Sequence, residues 1–522
     1  MSTTRAPVPA ADWLPPSRPT VAIFLVSLLA LFLEMLVIRW IGTEIRIFAY
    51  LQNTLLIACF LGLGMGFFTC RRPLALAETV IPLGFLLLLV AVPFTRGGLT
   101  TLSQSLSLLG DLVIWARTGS TGPWVAATLV SLGLVTVYFL LVLIVDVFVP
   151  LGRLLGRLLE DHPDPIHAYS ANVAGSLAGT WLFVALSAFY QPPVTWFLIV
   201  AAFVVGVTAY APRQRKLVVG LALVLVPIAW YGQQVPGAVK VIWSPYQKLV
   251  LRPPDRTIGE IGDYVITVNN TGYQMVEDLS ESRTSKAGEA YPPEFRGLSQ
   301  YDLPLLFHPN PRRYLVVGAG AGNDVAGGLR HGVTSIVAVE IDPAIIAMGR
   351  AFHPERPYAS PAVRVVNDDA RSYLATTDER FDVITFGLLD SHTTTAMTNA
   401  RLDSYVYTRE SLARARTLLA PGGLLVLSFE AQKPFIADRM AEVLRDEFGE
   451  PPIAFRVPPS AYGWGGVLFV AGDLAAARRQ MSTNPRLSGF VDAMAQAHPL
   501  AFPYAARVTT DDWPYTYLEF AR

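Results

Sequence analysis

The sequence predicts a multi-span α-helical membrane bundle, then a small β region, then a doubly wound α/β domain. The first observation is a change of composition near residue 235. Long apolar runs dominate before it, and ordinary globular composition follows. The second is the length of those runs, most of which reach the roughly 20 residues that cross a bilayer as a helix. The third is Arg313-Tyr-Leu-Val-Val-Gly-Ala-Gly-Ala-Gly-Asn323 followed by Val337-Ala-Val-Glu-Ile-Asp-Pro343. It reads as strand, glycine turn, helix and a second strand ending in an acid, which is how a nucleoside ligand is gripped.

A chain of 522 residues has room for more than one domain. The 52% hydrophobic and 16% charged fractions are too apolar for one soluble protein. The domains predicted are 1–235 for the helical bundle with six or seven spans, 240–300 for the β region and 301–522 for the α/β domain. A net charge of zero gives no reason to expect nucleic acid. Cys59 and Cys70 both lie in or at the edge of one apolar run, and the C-terminal half has no cysteine. No disulfide framework, Cys-based zinc site or other metal is expected.

The apolar runs are 21–42, 48–69, 77–94, 124–150, 166–190, 193–211 and 217–231. The first holds Glu34 and Arg39 and has no convincing cleavage site, so it reads as a retained span. The weaker stretch 100–117 is interrupted by Asp111 and suits the interface or a re-entrant turn. Arg71-Arg72, Arg153/Arg157 and Arg213-x-Arg215-Lys216 fall on one side, which the positive-inside rule makes cytoplasmic together with the N-terminus. The last run is the shortest and carries Pro227. If it does not cross, six spans place the α/β domain in the cytoplasm, the preferred reading for a protein of the inner membrane. Gly62-x-x-x-Gly66 and Gly175-x-x-x-Gly179 favour close helix packing. Glu34, Asp146 and Asn172 are costly at membrane depth, and Glu34 is the best candidate for a site inside the bundle.

In the C-terminal half, short strands near 248–251 and 264–268 meet an Asn269-Asn-Thr-Gly turn. Strands are then expected at 313–318, 335–340, 363–366, 381–386 and 423–429, with helices at 323–331, 343–351, 406–419 and 433–447. This alternation predicts a parallel sheet that binds ligand at the carboxyl ends of its strands. Gly318, Gly320 and Gly322 let the backbone approach a ligand. Glu340 ends the second strand and is placed to accept both ribose hydroxyls. Asp369 follows the third strand and is placed to accept from an adenine amino group. The glycine turn with both acids favours an S-adenosylmethionine-type, Rossmann-like pocket over a dinucleotide one. Asp324, Asp342 and Asp368 suit solvated loop or helix-cap roles.

Val316-Val-Gly-Ala-Gly-Ala-Gly, Val339-Glu-Ile-Asp-Pro, Asn367-Asp-Asp-Ala, Phe381-Asp-Val-Ile-Thr, Tyr407-Thr-Arg-Glu-Ser and Leu419-Ala-Pro-Gly-Gly resemble the spermidine synthase family of aminopropyltransferases. Ser244-Pro-Tyr-Gln and Val268-Asn-Asn-Thr-Gly-Tyr-Gln are similar to that family's small β region, and the resemblance covers about 240–475. With the terminal Thr510-Asp-Asp-Trp-Pro-Tyr, the whole chain resembles bacterial membrane-fused spermidine-synthase-like proteins. The resemblance implies ligand roles for Gln247, Gln274, Glu340 and Asp369. It departs at two places. The acid of the family's glycine loop is Ala321 here, and the catalytic acid that ends the fourth strand is Phe386 here.

Aminopropyl transfer needs a base that frees the attacking amine. Asp390, with His392, is the nearest candidate, and Asp403 is the second acid; ordinary loop roles are the alternative. The leading expectation is therefore a membrane-bound transferase. It would move an aminopropyl group from decarboxylated S-adenosylmethionine to an amine or polyamine. The alternatives are S-adenosylmethionine-dependent methyl or other alkyl transfer to a membrane-delivered substrate, and a nucleoside-sensing transporter without turnover. The partners expected are the lipid bilayer and a small amine; homo-oligomer formation stays open.

Overall fold

The computed structural model describes residues 16–106, 122–209, 215–286, 291–389, 403–431 and 433–519. Internal contacts divide the chain into two units, one of residues 1–236 with 242–248, the other of 237–241 with 249–522.

The first unit is helical: α1 (Pro19–Glu44), α2 (Arg46–Tyr50), α3 (Gln52–Phe68), α4 (Ala77–Ala91), α5 (Pro93–Ser105), α6 (Pro123–Glu160), α7 (Pro165–Ala188), α8 (Pro193–Val207) and α9 (Arg215–Gly232). Five of these helices begin on a proline, α1, α5, α6, α7 and α8, whose missing N–H costs nothing in the first turn. Asp164 caps α7 by accepting the Ile166 and His167 N–H groups. Every apolar run of the sequence forms a helix, but not all are equally long. α1, α6, α7 and α9 are long and apolar enough to cross a membrane, and α4 with α5 forms a further candidate bent by 85°. α3 and α8, at 17 and 15 residues, rise only about 25 and 22 Å against a hydrocarbon core of about 30 Å. The short segments are thus α3 and α8, whereas α9 reaches 18 residues with Pro227 inside it. Arg215 and Lys216 extend its first turn, which an apolar window cannot count.

Both small-residue motifs lie at helix crossings. A Cβ on Gly62 or Gly66 would strike the Val145 or Val149 carbonyl of α6, and one on Gly175 or Gly179 the Phe24 or Leu28 carbonyl of α1. Backbones this close leave no room for a side chain. Beside the α1–α7 contact, Ser27 donates to Asn172 at 2.8 Å. Glu34 is buried, with no hydrogen-bond partner on Oε2.

The second unit opens with a four-stranded sheet in the order β1 (Lys240–Trp243), β2 (Lys248–Arg252), β3 (Tyr264–Val268), β4 (Thr271–Val276). Asn269 and Asn270 turn β3 into β4 at φ 47° and 64°, the left-handed pair that a two-residue hairpin demands and asparagine tolerates. Short helices α10 (Glu281–Thr284) and α11 (Leu303–Leu306) lead to β5 (Arg313–Val317), α12 (Asn323–Arg330), β6 (Ser335–Glu340), α13 (Pro343–Phe352), β7 (Val363–Asn367), α14 (Ala370–Thr376), β8 (Phe381–Phe386), α15 (Arg409–Thr417) and β9 (Leu419–Phe429). After these come α16 (Pro434–Phe448), β10 (Ile453–Val457), β11 (Gly466–Gly472), α17 (Leu474–Thr483) and α18 (Pro485–Ala497).

The large sheet has the order β10-β11-β9-β8-β5-β6-β7. It is mixed, which corrects the expectation of a parallel sheet. β5 to β9 pair in parallel, but β11 pairs antiparallel with both β9 and β10. β10 and β11 are joined by a loop too short for a crossover helix, so only an antiparallel pairing is open to them. Tyr314, Val316, Ala338, Val383, Val426 and Leu468 form the centre of the core. The strand order reverses at β5, between β6 and β8, which is where doubly wound sheets bind ligands.

Candidate active site

The glycine turn leaves β5 at this switch point. Gly318 and Gly320 have φ of 73° and 55°, a region costly for residues with a Cβ. Their open faces are in use. A Cβ on Gly318 would collide with the Leu389 side chain, and one on Gly320 with the Gln274 amide. Gly322 faces Pro357 and Tyr358 instead, so its missing side chain serves packing.

Two side chains hold the turn from opposite elements. Gln274, on β4, accepts the Ala321 N–H at 2.9 Å through Oε1. Glu340, at the end of β6, accepts the Gly320 N–H at 2.9 Å through Oε2 and the Asp342 N–H at 3.0 Å through Oε1. Tyr358 donates to the Gly320 carbonyl at 2.6 Å. Glu340 is buried, and burial pushes its carboxyl up to about 7 despite those two N–H donors.

The cleft beside the turn is lined by Tyr273, Gln274, Gln300, Tyr301, Gly318, Gly320, Asp324, Leu388 and Trp464. Asp324 is the residue that sequence reasoning missed. It lies in the first turn of α12 and is only 8% exposed, so it is neither a solvated residue nor the cap. Burial pushes its carboxyl up to about 7. Its Oδ2 lies 3.5 Å from the point where a Cβ on Gly387 would sit, beside the end of β8. The signal available was its place one helical turn beyond Gly320.

Behind the cleft, Asn323 ties β4 to α12. It donates to the Met275 carbonyl at 2.7 Å and accepts the Glu277 N–H at 3.4 Å, while His353 Nε2 lies 3.1 Å from its Oδ1. Burial pushes His353 down to about 3, so the ring is neutral. Glu277 is fully enclosed, with neither carboxylate oxygen hydrogen-bonded, and burial pushes it up to about 8. Arg330, paired with Asp302 at 3.0 Å and Glu355 at 2.6 Å, pulls in the opposite direction with less effect.

The remaining predicted residues are placed as follows. Asp369 caps α14, accepting the Ser372 N–H at 3.0 Å. Gln247 closes the Ser244–Gln247 turn, whose N–H reaches Ser244 Oγ at 3.1 Å; this turn clusters with the helical unit. Asp390 and His392 lie outside the described residues. Asp403 begins the 3-10 turn Asp403–Tyr407. Asp342 caps α13, accepting the Ala344 N–H at 3.0 Å. Phe386 is buried and packs against Tyr407 with ring centroids 6.4 Å apart, so strand alternation turns it away from Gly387. The terminal motif holds α14. Asp511 pairs with Arg371 at 2.7 Å and accepts from Thr408, the cap of α15, at 2.7 Å. Among the described residues, no group of three or more His, Cys, Asp or Glu side chains is arranged to hold a metal ion.

Residues 301–461 match the spermine/spermidine synthase domain. A polyamine aminopropyltransferase of Korarchaeum cryptofilum is 25% identical over 195 residues, 35% of this chain and 58% of that protein. Polyamine aminopropyltransferase 1 of Streptomyces coelicolor is 28% identical over 237 residues, 43% of this chain and 42% of that protein. The crystal structure of spermidine synthase from Thermotoga maritima aligns at 17% identity over 45% of this chain and 72% of that one, with a TM-score of 0.32. The chain thus spans 58% and 42% of the two curated relatives named. Through residues 301–461, the C-terminal part of this chain belongs to the spermidine synthase family.

Proposed function

We propose that the protein is a membrane-embedded aminopropyltransferase that uses decarboxylated S-adenosylmethionine and a small amine. The observation that carries the reading is the Gly320–Glu340–Asp324 arrangement at the switch point: a glycine turn, a buried acid fixed beside it, and a second buried acid lining the same cleft. The curated relatives, named as polyamine aminopropyltransferases, support the reaction class. The apolar helices long enough to span a bilayer support the membrane setting.

In this reading Glu340 accepts the ribose hydroxyls with the lone pairs left by its two N–H donors, and Asp369 takes the adenine amino group. The amine lone pair attacks the carbon bonded to the sulfonium sulfur. The carbon–sulfur bond breaks and its electrons return to sulfur as a neutral thioether. The amine must shed a proton to attack, and a carboxylate near neutrality is matched to take it. Asp324 meets that requirement by position and burial, and it adds negative charge near the loop that lacks an acid at Ala321. Asp390, with His392, and Asp403 remain the other proposed acids of the site.

Ala321 favours a second reading. Without an acid there, the carboxylate of intact S-adenosylmethionine is not repelled, and alkyl transfer to a membrane-delivered acceptor becomes open. Calorimetric titration of the full chain in detergent with each form separates the two. At least tenfold tighter binding of the decarboxylated form, with turnover of an amine, is the expected result. Preference for the intact form would replace aminopropyl transfer with the alkyl-transfer reading.

A further inference from the structure

The helical unit contains a cavity that nucleoside chemistry does not explain. It is lined by Ala91, Pro93, Arg96, Gly97, Thr100, Tyr231, Gly232, Gln234 and Pro236, and has a volume of about 410 Å³. That is within the roughly 300–1,000 Å³ of small-molecule sites. Its wall combines the bend from α4 into α5 with the end of α9.

Arg96 gives the cavity its charge. The Glu44 carboxylate sits between two cations, with Arg96 Nη2 at 2.6 Å from Oε2 and Lys248 Nζ at 2.7 Å from Oε1. Within this triad positive charge exceeds negative by one. Lys248 and Glu44 are sealed at 0% and 1% side-chain exposure, whereas Arg96 is 27% exposed, so the excess is presented at Arg96. Burial pushes Lys248 below its ordinary range, and the Arg96 charge adds to this while Glu44 opposes it. An anion beside Arg96 would relieve that repulsion.

The setting selects the kind of anion. Phe94, Trp230 and Tyr231 beside the cavity are 88%, 57% and 55% exposed. Exposed aromatic rings at the ends of apolar helices are the signature of a membrane interface. Ala91, Pro93, Gly97 and Pro236 give the same cavity an apolar wall suited to a glycerol backbone.

We propose that this cavity binds the phosphate of an anionic phospholipid, with Arg96 as the charge partner and Thr100, Tyr231 and Gln234 as the polar wall. The proposal rests on the reading of the helical unit as membrane-embedded. A guanidinium offers phosphate two parallel N–H donors, a fit that zwitterionic headgroups weaken with their own ammonium.

The test uses the full chain purified in detergent, with thermal unfolding followed after addition of phosphatidylglycerol, phosphatidylcholine or inorganic phosphate. Stabilisation by phosphatidylglycerol at least 3 °C beyond phosphatidylcholine is expected, and it should be lost in Arg96→Gln. Because Arg96→Gln also strips a partner from Glu44, Thr100→Val and Gln234→Leu are measured beside it. They leave the triad intact and should at least halve the phosphatidylglycerol effect. Equal response to both lipids, or an undiminished response in all three variants, overturns the proposal. Stabilisation by inorganic phosphate equal to that by phosphatidylglycerol replaces the lipid with a free anion. A chain that stays dispersed without detergent refutes the membrane reading itself, a separate outcome.

Discussion

The Gly320 N–H and the Glu340 carboxylate are joined by a 2.9 Å hydrogen bond. The acid that ends β6 is therefore part of the scaffold of the glycine turn as well as a candidate ligand. The same carboxyl is buried and pushed up to about 7, which gives ligand binding a pH dependence.

Only the ionised Glu340 can accept two ribose hydroxyls. With a carboxyl near 7, about a tenth is ionised at pH 6 and about nine-tenths at pH 8, so nucleoside affinity should rise about tenfold between them. Calorimetry at both values checks this. Glu340→Gln should bind at least tenfold more weakly at pH 8 and lose the pH dependence. A flat wild-type profile would remove Glu340 from the binding role.

Glu277 makes an opposite prediction for stability. Its carboxyl lies near 8 in the folded chain against 4.5 when unfolded. Between these values the folded state holds the extra proton, so its contribution is fully present below about pH 4.5 and is lost as pH rises towards 8. The loss is on the order of several kcal/mol. Asp324 and Glu340 shift the same way. The ligand-free protein should melt at lower temperature at pH 8 than at pH 5, and Glu277→Gln should narrow that gap. Identical gaps in both proteins would contradict the burial argument.

Asp511 should matter to the ligand without touching it. It anchors Arg371 of α14, the helix that Asp369 caps. The pair is partly exposed, so its effect is modest. Asp511→Ala should weaken nucleoside binding about two- to fivefold. Asp511→Asn, which keeps the acceptor for Thr408, should recover part of it. A lower melting temperature with unchanged affinity would make the contact purely structural.

In the helical unit, Gly175→Leu should lower stability by at least about 1–3 kcal/mol, because the side chain has only the α1 backbone to enter. Gly206 of α8 has nothing within 4 Å of its missing Cβ. Gly206→Leu should be neutral or raise stability by up to about 1 kcal/mol through helix propensity. Thermal unfolding of both variants in detergent is the comparison.

The sequence was most legible where local chemistry decides the outcome. Gly318-x-Gly320 had to turn, Asn269-Asn270 had to reverse a hairpin, and Glu340 had to end its strand at the ligand edge. It was less legible where pairing partners are distant. β10 and β11 read as ordinary strands, and nothing in their alternation says that they pair antiparallel on a parallel core. α9 read as too short because Arg215 and Lys216 lie inside its first turn.

What the sequence by itself determined is the division into an apolar helical part and an α/β part, the glycine turn with its strand-ending acid, and the family resemblance. Each is carried by residues adjacent in the chain. Only the tertiary structure decided that Asp324 lies buried in the cleft while Phe386 turns into the core, and that Glu44 is shared between Arg96 and Lys248. The reason is physical. Burial and long-range ion pairs set the charge and reach of a side chain, and they arise from residues tens or hundreds of positions apart, as Glu44 and Lys248 are.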